Sequence, residues 1–274
     1  MPLVDETPVR RPRVPGRRVP VALLVPATLG LLFLVLPLGG LLLRTPWASL
    51  PERLSAPGVL TALRLSLQCA TLATLLCLAL GVPLAWLLAR VEFPGRRLVR
   101  ALVTVPLVLP PVVGGVALVL VFGRRGLLGG WLDSTFGLTL PFTTTGVVLA
   151  EAFVAMPFLI IAVEGALRGA DSRYEEAAAT LGAGRWTTFT HVTLPLVAPG
   201  VAAGAVLCWA RALGEFGATI TFAGNYPGRT QTMPLAVYLA LETDLDGAIV
   251  LSLILLTVSV AILAGLRDRW ITSP

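Results

Sequence analysis

The side chains able to do chemistry are few, and what is missing narrows the options first. Among 274 residues there is one histidine, His191, and no lysine, so all 21 basic residues are arginines. A single histidine cannot build the paired-histidine zinc site of an HExxH helix, and no G-x-S-x-G elbow presents a nucleophilic serine. A phosphate-binding loop needs a lysine to reach the β- and γ-phosphates. If ATP drives this protein, another chain must bind it. Cys69, Cys77 and Cys208 lie inside apolar blocks, at spacings that suit neither a disulfide framework nor a metal site, and read as small core residues. His191 reads as a structural or interfacial residue rather than a catalyst.

The remaining chemistry is that of ionisable groups embedded in apolar runs. Arg211 and Glu215 are four residues apart, about 20 Å along an apolar helix at 1.5 Å per residue. Charges at such depth are costly and face either a watery path or one another. One reading has Arg211 offsetting the charge of a passing anion. The other has Arg211 and Glu215 neutralising each other and fastening helices together. Glu164 and Arg168, also four apart, read as an interfacial pair, whereas Glu151 has no partner nearby in sequence.

The elements that must carry these groups follow from composition. The chain is 56% hydrophobic and 13% charged, with mean hydropathy +0.86, and a soluble domain carries about 25% charged residues. Apolar blocks of about twenty residues match the thickness of a bilayer. The sequence therefore predicts an all-α, polytopic membrane protein of six transmembrane helices, over roughly 20–43, 66–89, 99–122, 143–167, 197–222 and 247–266. These form one domain, 20–274, behind a cytoplasmic tail, 1–19; the first apolar run is too long for a cleaved signal peptide. Placing both termini inside puts fourteen arginines on the cytoplasmic side, including Arg10, Arg96, Arg173 and Arg267, against six outside, including Arg53 and Arg229. That bias satisfies the positive-inside rule. The third span carries Pro106, Pro110, Pro111, Gly114 and Gly115 and is expected to be kinked. The stretch TQTMPLAVYLALE is too short to cross and is expected to be a short external or re-entrant helix.

Between the fourth and fifth spans lies EEAAATLGAGRWTTFTHVTLP, Glu175–Pro195. Ser172-x-x-Glu175 predicts a capping box, alanines drive a helix of two to three turns, and Gly182 stands where a left-handed cap would end it. Tyr174, Ala178 and Leu181 share one face. So short a helix is marginal alone and must pack against something.

The spacing Glu176-Ala177-Ala178, Gly182, Val192-x-Leu194-Pro195 resembles the "EAA" loop of ABC importer permeases, with Val192 where that family more often has isoleucine. The run ARALGEFGATITFAGNYPGRTQTMPLAVY resembles the permease subunits of molybdate ABC importers, as do LGVPLAWLLAR, LVLPPVVGG and AEAFVAMPFLI. Sulfate permeases share ALGEFGA and usually differ after it. The likeness extends over nearly the whole chain beyond the tail.

The resemblance implies a type I importer permease in the bacterial plasma (inner) membrane. It implies that Tyr174, Glu176, Ala177, Ala178, Leu181, Gly182, Leu194 and Pro195 form the coupling loop docked on the ATPase. It implies a homodimer, two ATP-binding cassette subunits that use ATP and Mg, and an extracytoplasmic molybdate-binding protein. This chain would itself be no enzyme, bind no cofactor and touch lipid but no nucleic acid. In such a dimer two copies of span five would meet, and Arg211, Glu215, Phe216, Gly217, Thr219 and Thr221 are the candidates to line the path. Phe216 reads either as a gate or as a lipid- or core-facing aromatic. Sulfate, thiosulfate or tungstate are the alternative cargoes, and a channel or carrier without ATP coupling is the alternative class.

Overall fold

The computed structural model describes residues 21–271, and the expected tail 1–19, with its arginines, lies outside them. The chain divides into two units, 1–44 and 45–274. The described part of the first is one helix, α1 (Val21–Arg44), apolar on every side as a lipid-embedded helix must be. Its 24 residues span about 36 Å, enough to cross hydrocarbon.

The second unit runs α2 (Leu50–Leu54), α3 (Pro57–Arg90), α4 (Arg96–Val108), α5 (Pro111–Phe122), α6 (Gly129–Phe136) and α7 (Thr144–Gly169). After these come α8 (Arg173–Thr180), α9 (Arg185–Thr188), a π-helical turn (Phe189–Thr193), α10 (Leu194–Leu213), α11 (Gly217–Ala223), α12 (Met233–Thr243) and α13 (Leu245–Ile271). Among the described residues five helices, α1, α3, α7, α10 and α13, are long and apolar enough to cross, α10 counted together with the short helices before it.

The core is the seam between α3 and α7, and its contacts give direction. Leu65 and Cys69 cluster with Val147, Cys77 Sγ reaches the Ala152 carbonyl, and Gly81 faces Met156, Leu159 and Ile160. Both sequences advance together, so α3 and α7 run parallel. Gly200 faces Ala166 and Gly204 faces Ala162, so α10 runs antiparallel to both. Small residues at these crossings let backbones approach where no hydrophobic force drives helices together.

Two parallel neighbours require the chain to cross back between them. That return is made by α4 and α5, whose axes turn by 118° at Leu109–Pro110. The expected kink is thus a break between two helices. Leu109 and Pro110 each precede a proline, which disfavours the helical ψ, and they adopt ψ of 133°. Helix α5 runs antiparallel to α7 (Gly114 against Phe153, Leu118 clustered with Ala150), and the bent pair taken as one span brings the count to six.

Span five is also broken, between α10 and α11. Helix α12 begins inside the bundle, where the buried Ser66 hydroxyl accepts the Met233 N–H at 2.7 Å. It ends at Asp244, which pairs with Arg53 of α2. The Gly247 backbone N–H, with Arg53, holds the Asp244 carboxyl below its ordinary value. Arg53 thereby clasps the α12–α13 turn to the segment leading into α3.

Candidate functional site

At the end of the bundle where α3 and α7 finish, the chain builds a small surface module. Helix α8 has no buried residue. The expected capping box does not form: Ser172 is itself helical (φ −66°, ψ −16°), and its hydroxyl donates to Glu176 Oε1 at 3.2 Å. Asp171 Oδ1 accepts the Arg173 N–H instead. Glu175 is drawn away because tertiary partners claim its carboxylate. Its Oε1 accepts from Thr193 Oγ1 at 2.9 Å and lies 3.2 Å from Arg90 Nη2.

The other end of α8 follows the sequence. Gly182 has φ +85°, the Gly182 N–H donates to the Ala179 carbonyl and the Ala183 N–H to the Ala178 carbonyl, which is the Schellman pattern. This sharp reversal leaves Tyr174 60%, Leu181 89% and Trp186 76% exposed, with only Ala178 of the expected face partly covered. Glu176, Ala177 and Pro195 are exposed as well, and Leu194 is half-buried. His191 is exposed, its Nδ1 beside Thr190 Oγ1 and the Thr187 carbonyl. No Cβ placed on Gly182 would meet an atom within 4 Å, so Gly182→Val perturbs conformation alone, at roughly 1–2 kcal/mol. The variant is expected to insert normally and to misplace the α8 surface, measured as loss of binding to whatever partner that surface engages.

A second set of groups sits above this module. Arg168 and Arg100 both close on the buried Glu164, each at 2.7 Å, and Arg100 also donates to the Leu88 carbonyl. The pair read from four-residue spacing is present, and Arg100 is the partner that spacing could not reveal. Together they fasten α4, α7 and the end of α3.

Deeper, at the break between α10 and α11, Arg211 Nη2 meets Glu215 Oε2 at 2.7 Å. Glu215 is 1% exposed and the Arg211 side chain 27%. Glu215 Oε1 also accepts the Ala218 N–H at 2.8 Å and so caps α11 across the break. Of the two readings of Arg211, the structure forms the fastening pair.

Gly217 lies against Pro111, and Gly115 against Ala218 and Thr221, so α5 and α11 touch backbone to backbone. Thr219 is fully buried and its hydroxyl has no hydrogen-bond partner, whereas the Thr221 hydroxyl donates to the Gly217 carbonyl. Phe216 is half-buried with its ring 5.1 Å from Tyr238, at the mouth of a groove of about 490 Å³ between the break, α12 and α13. Glu151 of α7, unassigned from sequence, is 1% exposed, and its Oε2 accepts no hydrogen bond.

The fold and these sites define a polytopic helical membrane protein that presents a short, exposed helix at one end and holds a broken helix with a buried ion pair within. The profile of the family described as "Binding-protein-dependent transport system inner membrane component" matches residues 81–273. The chain belongs to that family, as a multi-pass protein of the bacterial inner membrane. It is 46% identical over 255 residues, 93% of this chain and 96% of the relative, to the molybdenum transport system permease protein ModB of Mycobacterium tuberculosis. It is 36% identical over 240 residues, 86% of each, to the sulfate transport system permease protein CysT of Escherichia coli. A solved bacterial ABC transporter involved in import of the polysaccharide alginate shares the fold, with TM-score 0.76 at 20% identity, covering 92% of this chain and 96% of that one.

Proposed function

We propose that this chain is the membrane-spanning permease subunit of an ATP-driven molybdate importer. The observation that carries the reading is likeness along 93% of the chain to a molybdenum permease, ten percentage points above the sulfate permease. The geometry agrees with that assignment. The bare α8 face, set by the left-handed Gly182, is a coupling surface for an ATP-binding subunit, and Tyr174, Glu176, Ala177 and Leu181 are its contacts. The lack of a lysine for a phosphate-binding loop supports assigning ATP and Mg to that partner. Two copies of this chain, two ATP-binding subunits and an external oxyanion-binding protein complete the machine.

In the cycle so assembled, closure of the ATP-binding subunits displaces α8, and the displacement passes to the ends of α3, α7 and α10. The break at Gly214–Phe216 is where α10 and α11 move relative to one another, and Phe216, seated on Tyr238, is the gate. Arg211, fully paired in this arrangement, offers the dianion little net attraction until the pair opens. Sulfate is the second reading, because the ALGEFGA run is common to both permease types.

The test is reconstitution in proteoliposomes with an ATP-binding subunit and an oxyanion-binding protein. Molybdate should stimulate ATP hydrolysis and enter the vesicles, whereas equal stimulation by sulfate would overturn the substrate assignment. Topology has its own check. Native cysteines are buried, so Ser172→Cys and Asn225→Cys can be labelled selectively with a membrane-impermeant reagent. Opposite sidedness is expected, with Ser172 cytoplasmic, and labelling from one side would require an even number of crossings between them.

A further inference from the structure

The docking helix stands off from the spans it must move. Helix α8 buries no side chain, and a cavity of about 610 Å³ opens beneath it, walled by Trp86, Arg90, Glu175, Phe189 and Thr193. Little apolar packing joins α8 to the bundle, since Glu175 and Ala178 alone among its residues are half-buried, so a displacement of α8 is carried best by a side chain that crosses the gap. One side chain does. Glu175 points inward from α8 and meets two different spans with a single oxygen: Arg90, the last residue of α3, as an ion pair at 3.2 Å without hydrogen-bond geometry, and Thr193, the residue preceding α10, as a hydrogen bond at 2.9 Å. Thr193 is 2% exposed and cannot give way to solvent. It closes the π-helical turn Phe189–Thr193, a wider turn of the kind found where helices change register at functional sites.

We propose that the Arg90–Glu175–Thr193 tie is the element that transmits movement of the docking helix to the spans, with Glu175 as its positioning residue. The inference rests on the coupling reading above and adds to it, since Glu175 faces away from the docking surface. Its neighbour Glu176 edges the same cavity but is exposed and bonds only within its own segment, accepting from Ser172, so it makes no tie to a span. Arg90 sets the end of α3, and Thr193 sets the start of α10, whose far end carries the Arg211–Glu215 break. A carboxylate suits the task because one oxygen can bind a cation and a hydroxyl at once, and charge-assisted bonds are shorter and stronger than neutral ones.

The experiment uses the full complex in proteoliposomes, with molybdate and the binding protein as the stimulus. Glu175→Gln and Thr193→Val are expected to co-purify with the ATP-binding subunit as wild type does and to keep unstimulated ATP hydrolysis. Stimulated hydrolysis and uptake should fall on the order of ten-fold, within the range for coupling between sites. Thr193→Ser, which keeps the hydroxyl, should restore most of the stimulation. The exchange Arg90→Glu with Glu175→Arg should recover more than either change alone. Full stimulation in both Glu175→Gln and Thr193→Val would overturn the tie. Loss of co-purification in Glu175→Gln would also overturn it, by making Glu175 part of the docking surface. Failure of the coupling reading itself looks different: the wild-type complex would show no stimulation, or Leu181→Asp would leave co-purification and stimulation untouched.

Discussion

Arg211→Ala is expected to destabilise the permease by about 3–5 kcal/mol, the cost of leaving one member of a buried pair without its partner. Glu215 is the member left behind, 1% exposed. Adding Glu215→Gln should recover most of that loss, because glutamine keeps an acceptor for the Ala218 N–H and brings no charge. Glu215→Gln alone should be milder than Arg211→Ala. Its orphan, Arg211, has a side chain 27% exposed where Glu215 is 1% exposed, and is the less enclosed of the two. Thermal unfolding in detergent of the three variants and wild type reads this order directly. If Arg211→Ala is as stable as wild type and yet uptake of molybdate collapses, the arginine acts on the passing ion and the fastening role is wrong.

The same pair shows what a sequence of this kind discloses. Arg211 with Glu215 and Glu164 with Arg168 are four residues apart, and helical geometry alone brings such residues together. Gly182 was legible for a similar reason: a left-handed cap after an alanine-rich turn is decided by a few neighbouring residues. The contacts that ran against expectation are all long-range. Ser172 and Glu175 have the spacing of a capping box, but Arg90 and Thr193 compete for the same carboxylate, and a charge partner on another helix outweighs a local cap. Arg100 reaches Glu164 across 64 residues, with no periodicity to announce it. The Pro110–Pro111 pair marks a break, but the 118° turn is fixed by what α5 packs against, namely α7 and α11. Thr219 and Thr221 have the chemistry of a conduit wall, and only the packing of α11 against α5 and α7 shows that one is enclosed and the other bonded within its own helix.

That α5–α11 contact carries the second large expected effect. A Cβ on Gly115 would lie 2.6 Å from Thr221 Cβ, 2.9 Å from the Ala218 carbonyl oxygen and 3.1 Å from Ala218 Cα. No rotamer relieves these clashes, since two of the three atoms are backbone and the third is a Cβ fixed to it. Helix α11 must shift as a body or the crossing must open. Gly115→Ala, a single methyl group, is thus expected to cost about 3 kcal/mol, at the upper end for overpacking. Trimming Thr221 to alanine should not rescue it, because the clashing Cβ remains. Gly165→Ala on α7 is the control, with the same chemical change in an apolar span but nothing within 4 Å of the added methyl. It should be neutral or slightly stabilising through helix propensity. The consequence for transport follows from position: α11 starts at the break that Glu215 caps, so pushing it off α5 strains that cap and holds the break away from its resting geometry. Gly115→Ala complexes that survive extraction should show a lowered melting temperature together with raised leakage of molybdate in the absence of ATP. An unchanged melting temperature would mean that α5 and α11 already separate freely, and the break would then lack the fixed wall that gating at Phe216 requires.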